Sequence, residues 1–154
     1  MSPDEYRQLL QRKIRRMYPW SILLFVAACA STYYVGGQQP DGEFSPVAGA
    51  TYASGVMGIL LAHELGHYFQ ALRYRVPASP PMFIPMPFLP LGTMGAVIVQ
   101  GAGFADRKAL FDIAISGPLA GLVLALPIAW WGLQDSTVTT IDPTQGAVIF
   151  GDPL

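Results

Sequence analysis

Three long apolar segments constrain what this chain can fold into more than any other feature. We place them at about residues 20–36, 46–74 and 109–133. A helix needs roughly 20 apolar residues to cross the hydrocarbon core of a bilayer. Charged residues make up 12% of the chain and hydrophobic residues 52%, whereas a typical soluble domain has about 25% charged residues. The sequence therefore predicts an α-helical integral membrane protein with about three transmembrane helices.

Residues 1–19 form a basic leader ahead of the first apolar segment. Their apolar spacing suits a short amphipathic helix at the membrane surface, and a solvated tail is the alternative. Small residues before Cys29 also allow a lipoprotein signal cleaved at that cysteine, although the further apolar segments fit a retained anchor better. Cys29 is the only cysteine, so an intramolecular disulfide and a cysteine-based zinc site are excluded.

The stretch 76–104 is apolar but cannot form an ordinary helix, because six prolines remove backbone donors and restrict φ. Residues 92–99 then read as a turn followed by a strand. At membrane depth, irregular backbone is tolerated only where it is buried in protein or lines a cavity. We therefore expect a Pro/Gly-rich re-entrant segment with β character beside the histidines of the second helix. A proline-rich interfacial loop is the alternative.

The second apolar segment contains the motif that carries the most chemistry, H-E-L-G-H at residues 63–67. On a helix, His63 and His67 lie on one face, so both imidazoles can bind one Zn²⁺ at about 2.0–2.1 Å. Glu64 can then take a proton from a zinc-bound water. No other histidine is present, so a third protein ligand must be a carboxylate. The motif predicts metal-assisted hydrolysis, in preference to two unrelated histidines on a helix face.

The basic residues predict how the chain crosses the membrane. All 9 Lys and Arg residues precede the first span, follow the second or immediately precede the third. Segments 38–45 and 134–154 contain acidic residues and no basic ones. With a cytoplasmic N-terminus and three spans, every basic residue is on the cytoplasmic side. The H-E-L-G-H site then lies within the membrane, nearer its cytoplasmic face. A net charge of −1 offers no basic surplus for nucleic acid.

Three motifs together resemble the site-2 protease family of intramembrane zinc metalloproteases, in the branch shared by bacteria and plastids. After H-E-L-G-H come F-I-P-x-P with L-G-T-M-G-A-V-I, and then F-D-I-A-I-S-G-P-L-A-G. The resemblance covers about residues 57–121. It implies cleavage of a peptide bond within or near a transmembrane segment of a membrane-anchored protein. By the same resemblance, His63 and His67 are zinc ligands and Glu64 is the catalytic base.

The resemblance also assigns roles outside the metal motif. The candidate substrate-binding residues, in the re-entrant segment, are Gly92, Thr93, Met94 and Gly95. Gly117 and Pro118 match the family's G-P-x-x-N pattern and are candidate structural residues. Gly121 stands where the family has asparagine, so any polar role of that side chain is absent.

One zinc-binding residue of the family is missing from this sequence. Its third zinc ligand is an aspartate in an L-D-G motif on a later helix, and this sequence has no L-D-G. Asp142 lies on the non-cytoplasmic side of the predicted topology and is a poor substitute. We expect residues 1–154 to be a single membrane-embedded peptidase domain, truncated at its C-terminus before a further span that carries the aspartate. Asp112 is expected to pair with Lys108 on its own helix rather than to act in catalysis.

Two other functions fit parts of the sequence. A membrane zincin of the CAAX-prenyl-protease type shares H-E-x-x-H, but its third ligand is a glutamate and Glu64 is the last glutamate here. An inactive zinc-binding membrane scaffold is the non-enzymatic alternative. The expected partners are a membrane-anchored protein substrate and the lipid bilayer. The expected location is a bacterial inner membrane with the N-terminus cytoplasmic, or alternatively a plastid membrane.

Overall fold

Three long helices and one short β-hairpin make up the part of the chain that the computed structural model describes, residues 3–40, 42–101, 103 and 105–136. Their bounds are α1 Pro3–Gly37, α2 Pro46–Arg73, β1 Met82–Pro85, β2 Thr93–Val97 and α3 Arg107–Asp135. By length and composition, α1 and α3 are each apolar enough to cross a membrane, over Gln8–Gly37 and Arg107–Gln134. α2 is equally long but carries the polar H-E-L-G-H motif, and it does not reach the same hydropathy.

The basic leader and the first predicted span form one continuous helix, α1, with Pro19 inside it. The leader is therefore helical, as one of the two alternatives expected, but it is not a separate surface element. A proline removes one backbone N–H and can kink a helix. It does not end this one, because helix-compatible residues continue on both sides.

Local capping explains where α2 and α3 begin. The Ser45 side chain accepts a hydrogen bond from the Ala48 N–H at 3.3 Å, and a proline follows it at the first helical position. The Asp106 carboxylate accepts one from the Ala109 N–H at 2.7 Å. Such caps satisfy N–H groups that have no partner inside the helix. Both helices therefore begin close to the bounds predicted from the sequence.

The two strands pair antiparallel, with Met82 opposite Val97 and Phe83 opposite Ala96. The sequence predicted β2 as the strand within residues 92–99 but did not predict β1, because prolines surround it. Pro85 ends β1 next to an irregularity in the register. A proline is acceptable there because it cannot donate to the ladder and is confined to strand ends, edges and bulges.

The hairpin lies lengthwise along α1. The Ser21 hydroxyl donates to the Pro81 carbonyl near the base of the hairpin. At its tip, the Ser31 hydroxyl donates to the Gly92 carbonyl at 2.6 Å. Ten helical residues separate these anchors, a distance of about 15 Å along the helix axis. Between them the Phe25 and Phe83 rings meet edge to face at 5.3 Å.

Both chain ends of the hairpin leave from the same end of α1. The Ser79 N–H donates to the Val99 carbonyl and the Gly101 N–H to the Pro77 carbonyl, each at 2.8 Å. These bonds extend the pairing below the strands and close the base of the hairpin. As a result, the segment enters and leaves on the Ser21 side of the molecule.

Candidate metal centre

The two imidazoles of the H-E-L-G-H motif converge on one point. His63 Nε2 lies 3.1 Å from His67 Nε2, and the rings meet edge to face with centroids 4.8 Å apart. Two nitrogens bound to one tetrahedral zinc at 2.0–2.1 Å would be about 3.3 Å apart. The two side chains therefore lie close to the spacing that a shared metal ion requires.

A backbone carbonyl from α3 orients the second imidazole. His67 Nδ1 lies 2.6 Å from the Ile113 carbonyl oxygen. A carbonyl can only accept, so Nδ1 carries the proton and donates it. In the neutral imidazole, Nε2 then carries the lone pair, and this tautomer can bind a metal through Nε2. No sequence motif could have indicated this partner, because it is a main-chain atom 46 residues away.

Glycines on α3 lie directly opposite the histidines. A Cβ atom on Gly117 would come within 2.1 Å of His67 Nε2, and one on Gly121 within 3.3 Å of His63 Cβ. In the opposite direction, a Cβ on Gly66 would come within 2.5 Å of the Ser116 carbonyl oxygen. Small residues let helices approach closely in a membrane. Here they also leave room for the imidazoles between α2 and α3.

A cavity of about 400 Å³ opens beside the histidines. Its lining residues come from α2, from β2 and the residues after it, and from α3: Glu64, His67, Ala96, Ile98, Gln100, Leu110, Ile113 and Ala114. Glu64 and His67 thus face the same space, and both are half-buried. A molecule in this cavity would contact the carboxylate, the second imidazole and the hairpin together.

The four candidate substrate-binding residues lie at the tip of the hairpin and the start of β2. Gly92 packs against α1, and Thr93 is 2% exposed and donates to the Ile84 carbonyl at 2.9 Å within the hairpin. Met94 is 60% exposed, and Gly95 has a positive φ of 95°. The cavity beside Glu64 is lined instead by residues farther along the same segment. A role for residues 92–95 in substrate binding stays a prediction.

The structure gives Asp112 a partner different from the expected Lys108. Its carboxylate accepts a hydrogen bond from the hydroxyl of Tyr74, the residue at the C-cap of α2. The bond joins the end of α2 to α3, one residue before the carbonyl that orients His67. Lys108 was expected as the partner because it is a neighbour on the same helix. The observed partner comes instead from the end of another helix, 38 residues away.

The described residues bring together two of the four ligands that a tetrahedral zinc site requires, His63 and His67. Imidazole nitrogen is a common zinc ligand, so the converging pair fits this metal. Within the described ranges, no three His, Cys, Asp or Glu side chains are grouped closely enough to hold a metal ion. Asp142, the weak sequence candidate, lies outside those ranges.

Comparisons with known proteins agree with the three sequence motifs. The model of Peptidase family M50 matches residues 51–148. The protein named probable zinc metalloprotease EGY1, chloroplastic, from Arabidopsis thaliana is 42% identical over 85 residues, which are 55% of this chain and 15% of that protein. The protein of the same name from Oryza sativa subsp. japonica is 42% identical over 81 residues, 53% of this chain and 14% of that protein. No solved structure matches the chain.

The matched range contains the H-E-L-G-H motif, the hairpin and the Gly117-Pro118 pair. The matched range therefore includes the helix that carries both imidazoles, the hairpin that lines the adjoining cavity and the part of α3 that packs against the histidines. The resemblance to the membrane-embedded site-2 metalloproteases is confirmed, and the chain belongs to Peptidase family M50.

Proposed function

We propose that this protein is an intramembrane zinc metalloprotease that hydrolyses a peptide bond within or near a transmembrane segment of a membrane-anchored protein. One observation carries the proposal. The Nε2 atoms of His63 and His67 converge at 3.1 Å on the helix that also places Glu64 in the adjoining cavity. Family membership supports metal-dependent peptide hydrolysis as the reaction class, and the predicted position of the site within the membrane would suit a membrane substrate.

Three membrane spans and a re-entrant hairpin are the arrangement that we propose around this site. The Tyr18 and Tyr68 hydroxyls lie 2.7 Å apart, so His67 is level with the end of α1 where its apolar run begins. This supports a site near the cytoplasmic face. The hairpin reaches about 15 Å along α1, roughly half of a bilayer core, and returns to the same side, as a re-entrant segment would.

In the proposed mechanism, His63 and His67 would hold the zinc ion, and a third ligand would come from outside the described residues. Zinc bound there would polarise the scissile carbonyl and lower the pKa of a water. The Glu64 carboxylate accepts the proton of the attacking water and passes it to the leaving amine. The Ile113 carbonyl, as the partner of Nδ1, fixes the orientation of the His67 ring, so Nε2 would be the nitrogen available to the metal. Apolar side chains from β2 and α3 limit the access of bulk water.

The hairpin offers a way to hold an unwound substrate. Helical carbonyls are occupied by their own hydrogen bonds, so a transmembrane substrate must unwind locally before its peptide bond can be attacked. In the described residues the sheet has two strands, which leaves one edge of β2 without a strand partner. An extended substrate could pair with that edge by strand addition, beside Ala96 and Ile98, which line the cavity.

The decisive experiment replaces Glu64 in the full-length protein. Glu64→Gln should lower the cleavage rate of a transmembrane substrate by about 10²–10⁴-fold, the range for a lost general base. Zinc content, measured by metal analysis, should stay at the wild-type value because both imidazoles remain. Glu43→Gln, the same chemical change in the loop before α2, is the matched control and should cleave normally. Normal cleavage by Glu64→Gln would refute the assignment.

A zinc-binding scaffold without activity is the second candidate, and one observation favours it. Only two potential protein ligands come together within the described residues. A full-length wild-type protein that binds zinc but cleaves no transmembrane substrate, under conditions where a related protease is active, would support the scaffold.

For the location we propose a bacterial inner membrane with the N-terminus cytoplasmic, and the names of the relatives favour a plastid membrane as the alternative.

A further inference from the structure

A second cavity lies between α1 and the C-terminal end of α2, on the side of α2 that faces α1. Its volume is about 680 Å³. Two helices and the segment after α2 contribute its lining: Gln11, Ile14, Arg15, Tyr18, Tyr68, Leu72, Pro77 and Ala78. The cavity shares no lining residue with the one beside Glu64. The proposed protease chemistry therefore leaves it without a use.

The polar groups of this cavity are mainly hydrogen-bond donors. Arg15 brings a guanidinium and Gln11 an amide N–H₂. The Tyr18 and Tyr68 hydroxyls lie 2.7 Å apart, so one proton joins them and the other remains available to a ligand. Among the described residues that line the cavity, none is a carboxylate that could neutralise Arg15. Such a set suits a ligand that is negatively charged and rich in acceptor oxygens, as a phosphate is.

The rest of the lining is apolar. Ile14 and Leu72 flank the donors, and Leu72 remains 47% exposed although it lies beside a second helix. Donors and aliphatic side chains in one cleft match an amphiphile better than a free ion. The position agrees, because Tyr18 and Trp20 stand where the apolar part of α1 begins, and aromatic residues mark the headgroup level of a bilayer.

We propose that this cleft binds an anionic phospholipid. Arg15 and the tyrosine pair would contact the phosphodiester, while Ile14 and Leu72 would contact the upper acyl chain. A net negative headgroup is favoured over a choline headgroup, since the described lining residues include Arg15 and no carboxylate to accept a quaternary ammonium. The site is independent of the protease proposal, because it uses neither the zinc ligands nor Glu64.

The test measures lipid binding to the full-length protein by native mass spectrometry, with dioleoylphosphatidylglycerol and dioleoylphosphatidylcholine as probes. Arg15→Gln should weaken binding of the anionic lipid about tenfold, as expected for one lost charge-assisted contact. Arg16→Gln is the matched control. Arg16 is the next residue on the same helix, exposed and equally charged, but it does not line the cavity. Its substitution should change binding less than twofold.

Two further arms keep the result interpretable. Leu72→Trp should fill the cleft and lower binding of the same lipid without changing the charge. Inorganic phosphate, titrated against the lipid complex, should not displace the lipid if the acyl contacts matter. The proposal is overturned if Arg15→Gln and Arg16→Gln weaken binding equally, if the choline lipid binds as tightly, or if inorganic phosphate alone competes.

Discussion

At the scale of single residues, the candidate metal centre depends on glycines, whose lack of a side chain leaves room for the imidazoles. Gly117 on α3 leaves the space that the His67 ring occupies, and a Cβ there would come within 2.1 Å of Nε2. The same ring is held from its other nitrogen by the Ile113 carbonyl. The imidazole is therefore confined between a backbone acceptor and a glycine, and its orientation depends on how closely α3 approaches α2.

Gly117→Ala should damage the candidate metal centre although it replaces neither of the two ligands. The added methyl group has to displace His67 or separate the two helices, so zinc affinity should fall about 10–100-fold, as it does when groups that orient metal ligands are lost. Competition with a fluorescent zinc chelator would measure this. Gly132→Ala is the control, because it lies on the same helix with nothing within 4 Å of the added Cβ. Equal zinc affinities for the two variants would contradict the prediction.

At the scale of elements, the hairpin is positioned by α1 rather than by its own two strands. A two-stranded hairpin by itself is marginally stable. Serine hydroxyls at both ends of the contact, Ser21 and Ser31, donate to hairpin carbonyls. Phe83, 1% exposed, packs in a cluster with Ala28 and Met57. α1 therefore supports the hairpin whose second strand, β2, lines the cavity beside Glu64 at Ala96.

Gly92→Ala should loosen this contact. Gly92 has a φ of 72°, and a Cβ there would come within 2.5 Å of the Thr32 Cα, a backbone atom of α1. Gly95→Ala is the matched control, because its φ of 95° is also positive but the added Cβ meets open space. Both variants carry backbone strain of about 1–2 kcal/mol, and only Gly92→Ala adds a collision between elements.

Thermal unfolding of the full-length protein in detergent would separate the effect of backbone strain from the effect of the collision with α1. Gly92→Ala should lower the Tm clearly more than Gly95→Ala does, and it should also increase proteolysis within the hairpin. If the Tm fell by the same amount in both variants, backbone strain alone would account for the effect. The contact of the hairpin tip with α1 would then make no measurable contribution to stability.

At the scale of the whole molecule, topology decides on which side the chemistry takes place. α1 and α3 are apolar enough to span a bilayer, and α2, which carries the motif, is less so. The distribution of basic residues nevertheless requires three crossings to bring all of them to one side. Contacts with α1 on one side and α3 on the other cover much of the α2 surface. Most α2 residues are at least partly buried, which is how we propose that a more polar helix crosses the membrane.

Cysteine labelling would test these crossings. In a Cys29→Ser background, single cysteines at Gln11, Gln38 and Ser136 lie in the basic N-terminal part of α1, between α1 and α2, and after α3; all three positions are exposed. A membrane-impermeant maleimide applied to intact cells or organelles should label Gln38→Cys and Ser136→Cys. Gln11→Cys should react only after permeabilisation. Labelling of Gln38→Cys and Gln11→Cys from the same side would exclude the proposed crossing of α1.

The sequence by itself determined what depends on neighbours along the chain. Hydropathy located the helices, since a helix is built from contacts three and four residues apart. The predicted span 46–74 and the helix Pro46–Arg73 differ by one residue at one end. The same local spacing placed both imidazoles on one face, so the metal motif could be recognised before any fold was known. Charge counting predicted the topology for the same reason, because it requires only the order of the segments.

Tertiary structure alone decided what depends on distant parts of the chain. The Ile113 carbonyl meets His67 across 46 residues, Tyr74 replaces Lys108 as the partner of Asp112 across 38, and the hairpin tip meets Ser31 across 61. β1 was missed because its prolines conceal a strand that exists only beside α1 and β2. In each case the partner is a backbone atom or a side chain without a distinctive motif. Only the packing of α1, α2 and α3 brings these groups together.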